Sequence, residues 1–306
     1  MSSTIQTTST DCSPGTEFNL LRLAMDPSST IIRRYGAVHI WRSLSSKRVR
    51  QVEKLETTPP LPRERREHFI ISDGALELTK WIAMVIMTAD HVNKYLFDES
   101  LPFLFEIGRI AMPLFVLVLA YNLARQSSNS NGAYLRTARR LSLCGTISSI
   151  PYMKLGVGGL LDDWYPLNIF FTLLVITTVT GLMEQSRTSK VRVPAALTAL
   201  TAFFMGGGLV EFWWPAVGLG VGAWIYFRSG RLVGLLMALG SCGSLHWVNG
   251  NDWALAAFPI LFILSRVDLQ MPRLRWFFYA YYPAHLFVLL LIRIPMTKAG
   301  YVYWYT

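Results

Sequence analysis

Charge is scarce along three quarters of this chain. Residues 71–306 hold only 30 of its 48 charged side chains, about one residue in eight, where a soluble domain has about 25%. Those 30 sit mostly in short segments between apolar runs. A body with so few charges cannot cover itself in water, so residues 71–306 read as an all-α, polytopic helical bundle in a lipid bilayer. Nine runs carry the pattern, at roughly 76–97, 103–124, 136–154, 166–185, 193–209, 211–227, 231–247, 252–265 and 275–293. Several are near or below the ~17 residues that a straight span needs. The fifth and eighth are the weakest, and Gly206-Gly207-Gly208 offers a place for a helix to break.

Residues 1–70 differ. They hold 18 charges in Ser/Thr-rich and Pro-rich stretches, and Arg22 interrupts their longest apolar run. That run is too short for a signal-peptide core and lacks a cleavage pattern. The segment reads either as a disordered, polar cytoplasmic tail or as sequence ahead of a start near Met84 or before Asp73. The tail is the reading carried forward.

Basic residues fix an orientation. With the N-terminus inside, 24 of the 29 Lys and Arg fall on the cytoplasmic side, and only Lys94, Lys154, Arg293 and Lys298 fall outside. The alternation is that of a multi-pass membrane protein with a cytoplasmic N-terminus, and it accounts for the net charge of +10 without nucleic acid. The remaining cation, Arg109, lies within a span.

Polar groups inside the spans are costly and usually functional. Asp90 and His91 lie in the first. Lys80 and His91 are eleven residues apart, which puts them on one helix face about 16 Å apart along the axis. Asp90 lies a further 100° round, and so would orient His91 through a neighbouring helix or water. In the second span Glu106 and Arg109 have the i,i+3 spacing of an ion pair, with a substrate clamp as the other reading of Arg109. Pro113 is expected to kink this helix and open space beside Arg109. Asn168 and Thr172 open the fourth span, and His285 lies halfway along the ninth. Similar depth on several helices suggests one wet pocket in the middle and outer membrane. Glu211 and His246 read as satisfied core residues.

The chain has no P-loop, no H-E-x-x-H and no strand-linked G-x-G-x-x-G. Three Cys exclude a disulfide framework and a four-Cys zinc site. No two His have the i,i+4 spacing of a helical metal site, and no metal is expected.

Four segments, K-W-I-A-M-V-I-M-T-A-D-H, G-R-I-A-M-P-L-F, N-I-F-F-T-L and F-Y-A-Y-Y-P-A-H-L, resemble in order the TraX family of conjugal-transfer proteins, linked to N-terminal acetylation of F-type pilin. The resemblance spans about residues 71–293. It also implies kinship with membrane acyltransferases, which carry a basic residue, ten residues, then His in the first helix, as in Lys80-x10-His91. By that resemblance the chain is an acetyltransferase with acetyl-CoA as cytoplasmic donor and a pilin amine or other envelope acceptor on the outer side. His91, Asp90 and Arg109 would be catalytic, with Lys80, Tyr282, His285 and Asn168 binding substrate. Neutral His91 suits a general base, and Arg109 or His285 suits the oxyanion. Basic groups at the inner ends (Lys80, Arg139, Arg140, Arg275) would meet the CoA phosphates. A cell-surface glycan is the alternative acceptor. A transporter with an Asp90-His91 proton relay and a non-catalytic secretion subunit are the rival classes.

Overall fold

A computed structural model describes residues 70–126, 131–156, 165–188, 191–267, 269–274 and 276–301. The expectation of a disordered tail over 1–70 therefore lies outside the described residues, Ile70 excepted. Among the described residues the protein is a helical membrane bundle, and nine rods take up the nine apolar runs. Five are long and apolar enough to cross a membrane: Pro102–Ala124, Ile169–Arg187, Arg192–Leu209, Leu232–Asn249 and Phe277–Lys298. The rods at 73–96 and 131–154 fall outside that group because they carry the charges that make the site.

The first helix, α1 (Asp73–Leu96), starts at Ser72, whose hydroxyl accepts from the Ala75 N–H, one of the donors that a helix start leaves unpaired. The Ile71 N–H donates to Tyr121 Oη at 2.8 Å, which ties this start to the helix that carries Tyr121. At the other end, buried Asn93 bonds both the N–H and the carbonyl of Leu101, each at 3.0 Å. That clip turns the chain tightly into α2 (Pro102–Gly108), which runs back along α1.

The second rod is broken. It pauses at Arg109-Ile110 and resumes as α3 (Ala111–Ala124). The break lies where proline chemistry puts it. Pro113 has no N–H for the carbonyl four residues earlier, which belongs to Arg109, and its ring crowds that carbonyl. The remaining helices are α4 (Asn131–Lys154), α5 (Ile169–Thr188), α6 (Arg192–Thr201), α7 (Trp213–Ser229), α8 (Leu232–Gly243), α9 (Ala257–Leu264) and α10 (Phe277–Lys298). After α6 the rod widens into a π-helical turn, Ala202–Gly206, and ends at Leu209, in the glycine-rich stretch where a break was expected.

The core runs through α3, α5 and α7. Trp224 Nε1 donates to Tyr134 Oη at 3.2 Å, and Tyr134 Oη donates to the Leu123 carbonyl at 3.1 Å, so one buried chain joins α7, α4 and α3. Arg228 pairs with Glu184 and donates to the carbonyls of Ala124 (3.0 Å) and Gln126 (2.7 Å). The outer surface is apolar instead. Leu232, Val233 and Leu236 on α8 are about 60% exposed, and lipid tails remove the penalty that water would impose on them.

Candidate active site

Two helices bring the histidines together. Thr88 and Tyr281 share a hydrogen bond of 2.8 Å between their hydroxyls, which sets the register of α1 against α10. One turn further along, His91 Nδ1 and His285 Nε2 lie 2.7 Å apart. His285 Nδ1 lies 3.1 Å from the Tyr281 carbonyl. A carbonyl only accepts, so His285 carries its proton on Nδ1. Its Nε2 is then the acceptor, and His91 must donate from Nδ1. This leaves the lone pair of His91 on Nε2. The three rings are nearly parallel, His91 and His285 with centroids 5.0 Å apart and an interplanar angle of 11°, His285 and Tyr281 with 5.3 Å and 10°.

Asp90 does not touch His91. Its two carboxylate oxygens accept from Arg109 Nη2 at 2.8 and 2.9 Å, and both side chains are nearly nine-tenths buried. The expected Glu106–Arg109 pair is therefore replaced by a pair across helices. The break at Arg109-Ile110 and the absent side chain of Gly108 allow this approach. A Cβ on Gly108 would lie 2.4 Å from Asp90 Cγ. Arg109 Nε also donates to the Phe105 carbonyl at 3.2 Å, and the guanidinium lies over the Phe105 ring at 4.3 Å. The two N–H groups of Nη1 have no partner among the described residues.

Two cavities meet here. The smaller, about 60 Å³, is lined by Asp90, His91, Lys94, Tyr95, Gly108, Arg109, Glu211 and Tyr282, among others. The larger, about 540 Å³, extends from Asp73 to Met87, fourteen residues of α1, or about 21 Å. Met87, Phe115, Ile169 and Tyr282 line both and form the wall between them. Five cations line the larger cavity: Lys80, Arg125, Arg136, Arg140 and Arg273. Three are already matched. Lys80 bonds Glu77 at 2.6 Å and lies over the Phe278 ring at 4.5 Å. Asp73 pairs with Arg125 at 2.7 Å and also with Arg273. Asp73 lies ahead of the apolar run, and Arg273 and Arg125 hold its carboxyl below the usual carboxylate range. Arg136 and Arg140, one turn apart on α4, have no carboxylate partner among the described residues.

The family is decided by sequence. The TraX protein family profile matches residues 75–293. The chain belongs to the TraX family. A Protein TraX from Escherichia coli is 28% identical over 234 residues, covering 71% of this chain and 87% of that protein. Another, from Escherichia coli strain K12, is 35% identical over 111 residues, covering 35% of this chain and 40% of that protein. No solved structure matches the chain. The TraX match encloses all seven candidate residues, from Lys80 to His285.

The fold brings five of the seven to the smaller cavity or against it: Asp90, His91, Arg109 and Tyr282 line it, and His285 backs His91. Both ring nitrogens of His285, a candidate oxyanion donor by sequence, are engaged: Nε2 accepts from His91 and Nδ1–H is taken by the Tyr281 carbonyl. Lys80 lines the larger cavity. Asn168 lines neither. Its amide donates to the Gly145 carbonyl (3.0 Å) and Ser149 Oγ (3.1 Å) and accepts from the Phe170 N–H (3.1 Å), so it joins α5 to α4. Of the cations expected at the CoA phosphates, Arg140 lines the larger cavity and Arg139 does not, while Arg275 lies outside the described residues. Glu211, read from sequence as a core residue, lines the smaller cavity. Arg125, Arg136 and Arg273 were legible only as topological charge. Among the described residues no group of three His, Cys, Asp or Glu side chains could hold a metal.

Proposed function

We propose that this protein is an integral-membrane acetyltransferase of the bacterial inner membrane, with its basic end facing the cytoplasm. Acetyl-CoA enters the larger cavity with its phosphates near Arg136 and Arg140, and its thioester reaches the wall beneath His91. The acceptor enters the smaller cavity from the outer side. The resemblance named above makes a pilin N-terminal amine the first choice of acceptor. The observation that carries the reading is the proton order of the histidine pair. A base needs a free lone pair, and the chain from the Tyr281 carbonyl through His285 leaves one on His91 Nε2.

The step balances on these groups. His91 Nε2 takes a proton from the acceptor as the acceptor's heteroatom bonds the acetyl carbonyl carbon. Negative charge moves to the carbonyl oxygen, where Arg109 Nη1 supplies N–H donors. The intermediate collapses with loss of the carbon–sulfur bond, and the departing thiolate takes the proton from His91. Asp90 holds Arg109 in place. The proton-relay transporter is less well supported, since Asp90 bonds Arg109 and not His91 and leaves that relay without a second member.

The test is radiolabelled acetyl-CoA with the purified protein. Label passing to an acceptor, or remaining on the protein, supports an acetyltransferase. No label on either, with acetyl-CoA intact, rejects it.

A further inference from the structure

We infer that Glu211 anchors the acceptor through a primary ammonium group and so selects amines over hydroxyls. The inference rests on the acetyl-transfer reading. Four charged groups besides His91 line the smaller cavity: Asp90, Arg109, Lys94 and Glu211. Asp90 and Arg109 neutralise each other. Lys94 and Glu211 do not meet in an ion pair, and the Glu211 carboxylate has no hydrogen-bond partner among the described residues. A carboxylate that lines the cavity of a base and makes no ion pair or hydrogen bond of its own is open to a cationic ligand.

The backbone around Glu211 is unusually constrained. Its N–H donates to the Leu167 carbonyl at 2.9 Å, the Leu167 N–H donates to the Leu209 carbonyl at 3.0 Å, and Thr172 Oγ1 donates to the Glu211 carbonyl at 3.0 Å. The next two residues, Phe212 and Trp213, have φ of 64° and 50°. Bulky residues take such angles only where their surroundings demand it, often at functional sites. Together these bonds and turns bring a carboxylate from the α6–α7 connection to the cavity of His91.

The chemistry requires such a group for an amine and not for a hydroxyl. An ammonium nitrogen has no lone pair until it loses a proton. Glu211 takes that first proton. His91 Nε2 takes the second as the carbon–nitrogen bond forms and the carbon–sulfur bond breaks. The thiolate recovers the proton of His91, and Glu211 releases its own to water. The sum is an ammonium and a thioester giving an amide, a thiol and one proton.

Two peptide acceptors, identical except for an α-amine or an α-hydroxyl on the first residue, test this with purified protein and acetyl-CoA. Wild type should acetylate the amine. Glu211→Gln should raise the amine KM by about tenfold or more, as loss of a charged hydrogen-bond partner does. Its affinity for acetyl-CoA should stay unchanged, and Glu211→Asp should fall between. Wild type should also be inhibited by methylammonium, competitively with the peptide, and not by tetramethylammonium; this arm holds even if the variant does not accumulate. Equal use of both peptides by wild type, an unchanged amine KM in Glu211→Gln or no competition by methylammonium would overturn the role of Glu211 while leaving acetyl transfer standing. Failure of wild type to consume acetyl-CoA would overturn both readings.

Discussion

Gly108 lies against Asp90 so closely that a methyl group on it would come within 2.4 Å of the carboxyl carbon and within 2.6 Å of Cβ. The ion pair between Asp90 and Arg109 exists because a glycine precedes the arginine. Gly108→Ala should therefore push the carboxylate off the guanidinium, at an overpacking cost of roughly 1–3 kcal/mol. Acetyl transfer should fall more steeply than membrane-inserted yield, with acetyl-CoA affinity unchanged. Equal turnover in the variant would show that the pair need not keep this geometry.

The pair itself can be taken apart. Arg109→Gln leaves a carboxylate buried without its partner, at about 3–5 kcal/mol. Asp90→Asn/Arg109→Gln removes both charges and should recover most of that stability in a detergent melt. Turnover should stay low in the double variant, since one oxyanion donor is worth roughly 10²–10³ in rate. Recovery of turnover along with stability would make Arg109 a purely structural residue.

In the proposed mechanism His285 accepts the hydrogen bond from His91 Nδ1–H. His285→Leu removes the acceptor and frees the wrong tautomer of His91, so turnover should fall roughly 10²-fold or more. His285→Gln offers an amide oxygen and should retain part of the rate. His91→Ala should lose 10²–10⁴-fold, approximately, and His246→Ala much less. If the Gln and Leu variants of His285 were equally slow, the tautomer argument would fail.

Arg136→Gln/Arg140→Gln should weaken acetyl-CoA binding and flatten its dependence on salt, because screening acts on the charges that attract the phosphates. The catalytic rate at saturation should hold. Lys80→Met should have the smaller effect on affinity, since Lys80 is already bound to Glu77. Titration of acetyl-CoA binding at two ionic strengths measures both, and a larger loss from Lys80→Met would reverse the assignment.

The rods were legible because nine apolar runs are interrupted by basic loops, and that pattern depends only on neighbours in sequence. The site was legible in its residue types and much less in its pairings. Asp90 and Arg109 are nineteen residues apart, one on α1 and one at the break between α2 and α3, and Glu106 offered a local partner that Arg109 does not use. His91 and His285 are 194 residues apart, and their bond depends on the register that Thr88 and Tyr281 set. Glu211 stood at the outer start of the sixth run, which gave its depth and not its neighbours. Its place follows from a turn built with two left-handed aromatic residues, which no propensity favours. Asn168 shows the reverse: a polar residue at the start of a span whose bonds are all spent on holding helices.

Met87, Phe115, Ile169 and Tyr282 have a consequence for the membrane's electrical state. On the acetyl-transfer reading the larger cavity is reached from one side of the bilayer and the smaller from the other, and these four side chains, which line both, are the partition between them. About 2.3 kcal/mol accompanies each elementary charge that falls through 100 mV, and an open hole would dissipate that energy continuously. With such a partition the proposed enzyme would be an insulator: a two-carbon group could be handed across while ions on either side stay where they are.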